Sequence, residues 1–262
     1  MASISSSSGV TNPPRARLIP WSSQTTHTNG HIHTGSESED VDDESRSPAS
    51  IFTRTFILAI IFGSSLALFL YLLLIEPSPF WRLPFFLLAL SLFHSLEYYI
   101  TARYNPSGAT TSAFLLNNGK EYNIAHCLAF LECGFHLYFL PNYHFPNAIH
   151  QLALCIGSIL LIGGQYARSA AMKTAGSNFN HIVQSEKKND HVLVTEGIYR
   201  YLRHPSYFGF FWWGLGTQIL LGNIVCLVGY AYVLWRFFEK RIRRKLRPAR
   251  LGQRPFERFD MT

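Results

Sequence analysis

From Phe52 onward the chain reads as long apolar runs separated by short polar joints. In FTRTFILAIIFGSSLALFLYLLLIEP about 20 uncharged residues lie between Arg54 and Glu76, the length a helix needs to cross a ~30 Å hydrocarbon core. A Pro-flanked turn follows, and PFWRLPFFLLALSLFHSLEYYITARYNP predicts a second span near 83–102. A third is predicted over about 122–140 (YNIAHCLAFLECGFHLYFLP) and a fourth over about 148–167. The last apolar block, about Tyr207 to Phe238, is broken at Gly222-Asn223. Its halves of roughly 15 residues are short for straight spans and predict a tight helical hairpin.

The polar segments set the organisation. Residues 1–50 are rich in Ser, Thr, Gly, His and acids without apolar periodicity, so they cannot bury enough surface to offset their ordering entropy. They are expected to be a disordered tail, with no apolar h-region of a signal peptide. Residues 168–204 form the only long hydrophilic stretch between apolar runs, and Lys and Arg dominate it and its flanks. The positive-inside rule places that stretch in the cytosol, and four preceding spans place the N-terminus there too. The hairpin then returns the C-terminal tail to the same face. The divisions are a tail over 1–50, membrane helices over 51–167, a loop plus hairpin over 168–243, and a basic tail over 244–262.

Composition supports an all-α integral membrane protein, a multi-span helical bundle. Hydrophobic residues make up 48% and charged residues 15%, well below the quarter usual in soluble domains. The net charge of +7 is uneven, with nine Lys or Arg over residues 240–258. Beside an apolar hairpin, that basic run fits an anionic membrane face rather than nucleic acid. Cys127, Cys133, Cys155 and Cys226 are scattered without CxxC spacing and read as free thiols, with no disulfide or zinc. His27, His31 and His33 fall in the polar tail and read as part of it, so no metal site is expected.

Several ionisable residues fall inside apolar runs: His94 and Glu97 in the second, His126, Glu132 and His136 in the third. Such groups are expensive at bilayer depth and face the bundle interior. Hydrogen bonding between helices is the expectation for each.

The stretch with most chemistry is HIVQSEKKNDHVLVTEGIYRYLRHPSYFGFFWWGLGTQ. VLVTEGIY alternates and closes on a glycine, as a short extended segment and turn would. RHPSY opens a helix with Pro205 in the first turn, where its missing N–H is harmless. The positive end of such a helix can hold a carboxylate, and His204 can donate to the same group. Tyr199, Tyr207 and their aromatic neighbours can stack on a flat base or face a sulfonium. An aromatic belt at the membrane interface is the alternative reading of the same residues.

Taken together, Gln184, His191-Val-Leu-Val194, Thr195, Gly197-Ile-Tyr199, Arg203-His-Pro-Ser-Tyr207 and GFFWWGLGTQILLGN resemble the isoprenylcysteine carboxyl methyltransferases. EYYITARYNP and FLLNNGKEYNIAH resemble that family as well, so the resemblance covers about 94–243. It implies a multi-pass endoplasmic reticulum enzyme whose cytosolic loop and hairpin ends enclose S-adenosylmethionine. The methyl group would pass to the C-terminal carboxylate of prenylated CaaX proteins, with the prenyl chain entering from membrane lipid. By position, the resemblance gives cofactor contacts at Gln184, His191, Val192, Leu193, Val194, Tyr199, His204, Pro205, Ser206 and Tyr207. It gives Arg241 as the residue that engages the substrate carboxylate.

After Arg243 the resemblance stops, and the chain continues RKLRPARLGQRPFERFDMT. Lys245 occupies the place of a family glutamate that contacts the cofactor. So abrupt a change to an Arg- and Pro-rich run is expected of a shifted reading frame or a mis-spliced gene model, with a genuine altered C-terminus as the alternative. It predicts a chain of reduced or no activity. Two alternatives stay open at this level: a phospholipid-type membrane methyltransferase, and a catalytically inactive membrane paralogue.

Overall fold

The computed structural model describes residues 45–140, 147–179, 181 and 193–246, with the side chains of 241–246 excepted. The expected tail over 1–50 lies mostly outside those residues, and its last three positions already belong to the first helix. Helix α1 runs Pro48–Leu70 and continues as a π-helical turn, Tyr71–Ile75. A 3-10 turn at Pro79–Trp81 leads into α2, Arg82–Tyr104. Helix α3 spans Lys120–Phe139, α4 Asn147–Ala175, α5 Pro205–Leu221 and α6 Ile224–Leu246. There is no β-strand among the described residues. The expected extended segment and turn is present in miniature: Glu196 is extended and Gly197, at φ 56°, opens a 3-10 turn.

Among the described residues, three stretches are long and apolar enough to cross a membrane: Pro48–Ile75, Pro79–Tyr104 and Asn147–Asn178. The expected third span forms as α3 but is not among them; His126, Glu132 and His136 dilute its apolarity. Its outer face is nevertheless apolar and exposed, with Leu131, Phe135 and Tyr138 turned outward, as lipid contact requires. The predicted fourth span is corrected in length. Helix α4 continues eight residues past position 167, so Arg168 and Lys173 are helical and not part of the polar loop. The reason is local, since SAAMKTA contains good helix formers and no breaker before Gly176.

Helices α4 and α5 run antiparallel at very short range. A Cβ built on Gly164 would stand 2.4 Å from the Trp213 backbone nitrogen, and one on Gly209 2.5 Å from the Arg168 nitrogen. Further along the pair, a Cβ on Gly216 would stand 2.6 Å from Leu161 N and one on Gly157 2.8 Å from the Leu220 side chain. Without hydrophobic expulsion from water, membrane helices gain contact through small residues that admit close backbones. Around this pair, Phe93, Phe210 and Trp213 form one buried aromatic cluster. A second cluster joins Phe86, Ala129, Cys133, Leu221 and Tyr230.

The predicted hairpin break is present, with Gly222 left-handed at φ 75° closing α5. The 17 residues of α5 rise about 26 Å, less than the ~30 Å core, so the turn lies at membrane depth. Backbone groups there need protein partners. Glu132 of α3 accepts from Val225 N (2.8 Å) and Cys226 N (2.7 Å), the open first turn of α6. Asn223 donates to Ala129 O (2.8 Å) and to Gln218 Oε1 (2.9 Å). Glu132 thus fulfils the expected interhelical bonding.

Candidate functional site at the start of the hairpin

The residue before a proline is pushed out of helical conformation, and His204 (φ −135°, ψ 60°) ends the incoming loop there. Pro205 occupies the first turn of α5, and the Tyr207 and Phe208 amides both donate to His204 O at 3.1 Å. The His204 side chain does not cap this turn. It lies instead against Tyr207, ring centroids 5.7 Å apart and planes 23° from parallel. Tyr207 in turn stacks on Phe238 of α6 at 4.8 Å and 16°. Phe238 also meets Phe210 edge-on. The two hairpin helices are therefore clamped together at the end that carries RHPSY. Arg241 follows Phe238 by three positions on α6.

Tyr199 sits in the 3-10 turn Gly197–Arg200, packed near the end of α4; a Cβ on Gly197 would meet Thr174 at 3.1 Å. Burial pushes the Tyr199 phenol above its ordinary value, and the nearby Arg168 guanidinium partly offsets that. Leu193 is exposed and Val194 half-buried. The predicted contacts Gln184, His191 and Val192 lie outside the described residues. The structure thus brings Tyr199, His204, Pro205, Ser206 and Tyr207 to one end of the bundle, beside the backbone that carries Arg241.

Ser206, like Pro205 and unlike His204 and Tyr207, is turned into the bundle. It is buried, and its hydroxyl accepts from Arg168 Nη1 at 3.0 Å, with its carbonyl at 3.4 Å from the same nitrogen. Arg168 also donates through Nε and Nη2 to the Glu97 carboxylate, the latter at 2.7 Å. The guanidinium lies over the Phe93 ring (5.4 Å) and the Phe210 ring (5.2 Å). His181 Nδ1 stands 3.7 Å from Glu97 Oε2, and its Nε2 is 3.2 Å from Thr101 Oγ1. Asn105, two turns on from Glu97, donates to Phe179 O at 3.0 Å. Sequence reasoning placed Arg168 in the loop and missed this network. The signal was a lone acid at bilayer depth in the second run, which needs a cation, and the first arginine after the fourth.

The other intramembrane groups are internal ties. His94 Nδ1 is 2.8 Å from Phe114 O, and its Nε2 is 3.2 Å from the Tyr122 hydroxyl. His126 bonds within its own helix, to Tyr122 O at 2.8 Å, a departure from the interhelical expectation. Its ring stacks on Phe86, which explains the orientation. His136 packs against Phe135. Among the described residues no group of three or more His, Cys, Asp or Glu could hold a metal.

A helix start whose cap position is not closed by its side chain suits an anion, and Tyr199, His204 and Tyr207 gather aromatic side chains, a type that can meet a cation or a flat base, at the same end of the bundle.

These features define a polytopic helical membrane protein with a cluster of polar and aromatic residues at one end of a C-terminal hairpin. Residues 156–246 match the model of the isoprenylcysteine carboxyl methyltransferase family. The chain is 47% identical over 204 residues to the protein-S-isoprenylcysteine O-methyltransferase of Saccharomyces cerevisiae, covering 77% of this chain and 83% of that protein. It is 41% identical to the human protein of the same name, of which it spans 64%. A solved structure of the eukaryotic intramembrane Ras methyltransferase ICMT superposes with a TM-score of 0.65 at 33% identity, covering 84% of this chain and 82% of that one. The chain belongs to the isoprenylcysteine carboxyl methyltransferase family.

Proposed function

We propose that this protein transfers a methyl group from S-adenosylmethionine to the C-terminal carboxylate of prenylated cysteine, at the cytosolic face of the endoplasmic reticulum membrane. The observation that supports it most is the clamp of His204, Tyr207 and Phe238. It joins the positive start of α5 to the helix carrying Arg241, at the rim of an apolar bundle. Polar and lipid-borne substrates would meet at that rim.

S-adenosylmethionine supplies an electrophilic sulfonium methyl when bound, so the protein has little covalent work to do. The start of α5 and His204 bind and orient the carboxylate end of the methyl donor. Tyr199 and Tyr207 would supply aromatic contacts to its base or sulfonium, and by the family resemblance Gln184 and His191 to Val194 would be further contacts. Arg241 holds the incoming carboxylate in a bidentate geometry that a lysine cannot reproduce. Alignment and exclusion of water by the surrounding aromatic residues supply the rate enhancement. Methylation removes a negative charge beside a lipid anchor and so favours an anionic membrane surface.

Competition between acceptors tests the substrate class. Membranes containing the protein, given labelled S-adenosylmethionine, are expected to methylate acetyl-farnesylcysteine and to leave phosphatidylethanolamine unlabelled. Label in the phospholipid alone would overturn the reading.

A further inference from the structure

Arg168 of the neighbouring helix holds the start of α5 at two points. The Arg168 backbone lies against Gly209, where a Cβ would stand 2.5 Å from the Arg168 nitrogen. The Arg168 guanidinium reaches one turn back to the hydroxyl and carbonyl of Ser206. That guanidinium cannot swing away, because Glu97 of α2 accepts from two of its nitrogens and the Phe93 and Phe210 rings flank it. Both charged side chains are almost fully buried, at 8% and 1% exposure, so any loss of alignment leaves a charge unpaired in a dry interior. Ser206 follows Pro205 and precedes Tyr207, so its position sets where the His204 and Tyr207 rings lie.

We propose that Glu97 and Arg168 are positioning residues. Through the Ser206 hydroxyl they fix the start of α5 in the register that binds the methyl donor. This rests on the reading of the hairpin start as the S-adenosylmethionine site. The alternative use of the pair is to hold α2 against α4 for stability alone. A stability role and a positioning role move different quantities. Loss of fold lowers the number of active molecules and leaves the KM of those that remain. Loss of register raises the KM for the methyl donor.

The test uses the purified full chain in lipid nanodiscs, with wild type, Lys245→Glu, Ser206→Ala, Ser206→Thr and Glu97→Gln. Binding of tritiated S-adenosylmethionine is measured beside both KM values and the melting temperature. Ser206→Ala is expected to weaken methyl-donor binding and raise its KM about tenfold, the effect of one charge-assisted hydrogen bond. The KM for acetyl-farnesylcysteine should stay unchanged, and Ser206→Thr, which keeps the hydroxyl, should restore most of the loss. Glu97→Gln keeps the shape and should shift the donor KM in the same direction. A change in kcat or melting temperature with an unchanged donor KM would overturn the inference, as would a parallel rise in both KM values. Donor binding with no methylation of acetyl-farnesylcysteine by either wild type or Lys245→Glu overturns the substrate reading alone, and the binding comparison still decides this inference. Wild type that binds no donor overturns both.

Discussion

Gly164 of α4 lies so close to Trp213 of α5 that a Cβ would stand 2.4 Å from the tryptophan's backbone nitrogen. Gly163, its neighbour in sequence, has nothing within 4 Å. Helix propensity favours alanine over glycine equally at the two sites, by about 0.5–1 kcal/mol. Packing must therefore decide the difference. Gly163→Ala is expected to be neutral or slightly stabilising in a detergent melting experiment. Gly164→Ala should lower stability by about 1–3 kcal/mol, because backbone and not a flexible side chain has to move. Equal effects at the two positions would mean the helices are not in this close contact.

Glu132 is expected to matter more than its exposed surroundings suggest. Its carboxylate accepts from two first-turn amides of α6, at 2.8 and 2.7 Å. Replacement by Ala leaves both donors unsatisfied at membrane depth and should reduce stability by about 1–3 kcal/mol. Glu132→Gln retains an acceptor and should lose less. Thermal melting of both variants checks the order.

Phe238→Ala removes the ring on which Tyr207 stacks at 4.8 Å. An aromatic pair contributes about 0.5–1.5 kcal/mol beyond burial, so α6 should loosen at its basic end. Catalytic efficiency toward acetyl-farnesylcysteine is expected to fall several-fold, with partial recovery in Phe238→Tyr. Unchanged kinetics would separate the stack from the placement of Arg241.

Lys245 lies on α6 one turn beyond Arg241, at the position where the family resemblance gives a glutamate. On the proposed function, a cation there would oppose the sulfonium of the methyl donor. Lys245→Glu is expected to raise methyl transfer at subsaturating S-adenosylmethionine by more than at saturation. Equal or lower activity in the variant would show that the lysine is compatible with the site.

Hydropathy made the six helices legible, since each follows from an apolar run bounded by Pro, Gly or Asn. The hairpin break at Gly222-Asn223 was readable because two short halves need a left-handed turn. The end of α4 was not, because Arg168 and Lys173 look like loop residues until Glu97 supplies a partner across the bundle. The close approach of α4 and α5 was equally hidden. Gly157 and Gly164, and Gly209 and Gly216, are each spaced by seven, yet nothing within either segment says that the other faces it. RHPSY reads as the start of a helix with Pro in its first turn, but the inward turn of Ser206 depends on a residue 38 positions earlier.

The central claim is a carboxyl methyl transfer at the start of the hairpin. The direct measurement is base-released methanol from acetyl-farnesylcysteine after incubation with labelled S-adenosylmethionine, comparing wild type, His204→Ala and Lys245→Glu in the same membranes. Base-labile label on the prenylcysteine in wild type or Lys245→Glu, abolished by adding His204→Ala to whichever is active, is the predicted result. No base-labile label in either, or label indifferent to His204, would contradict it.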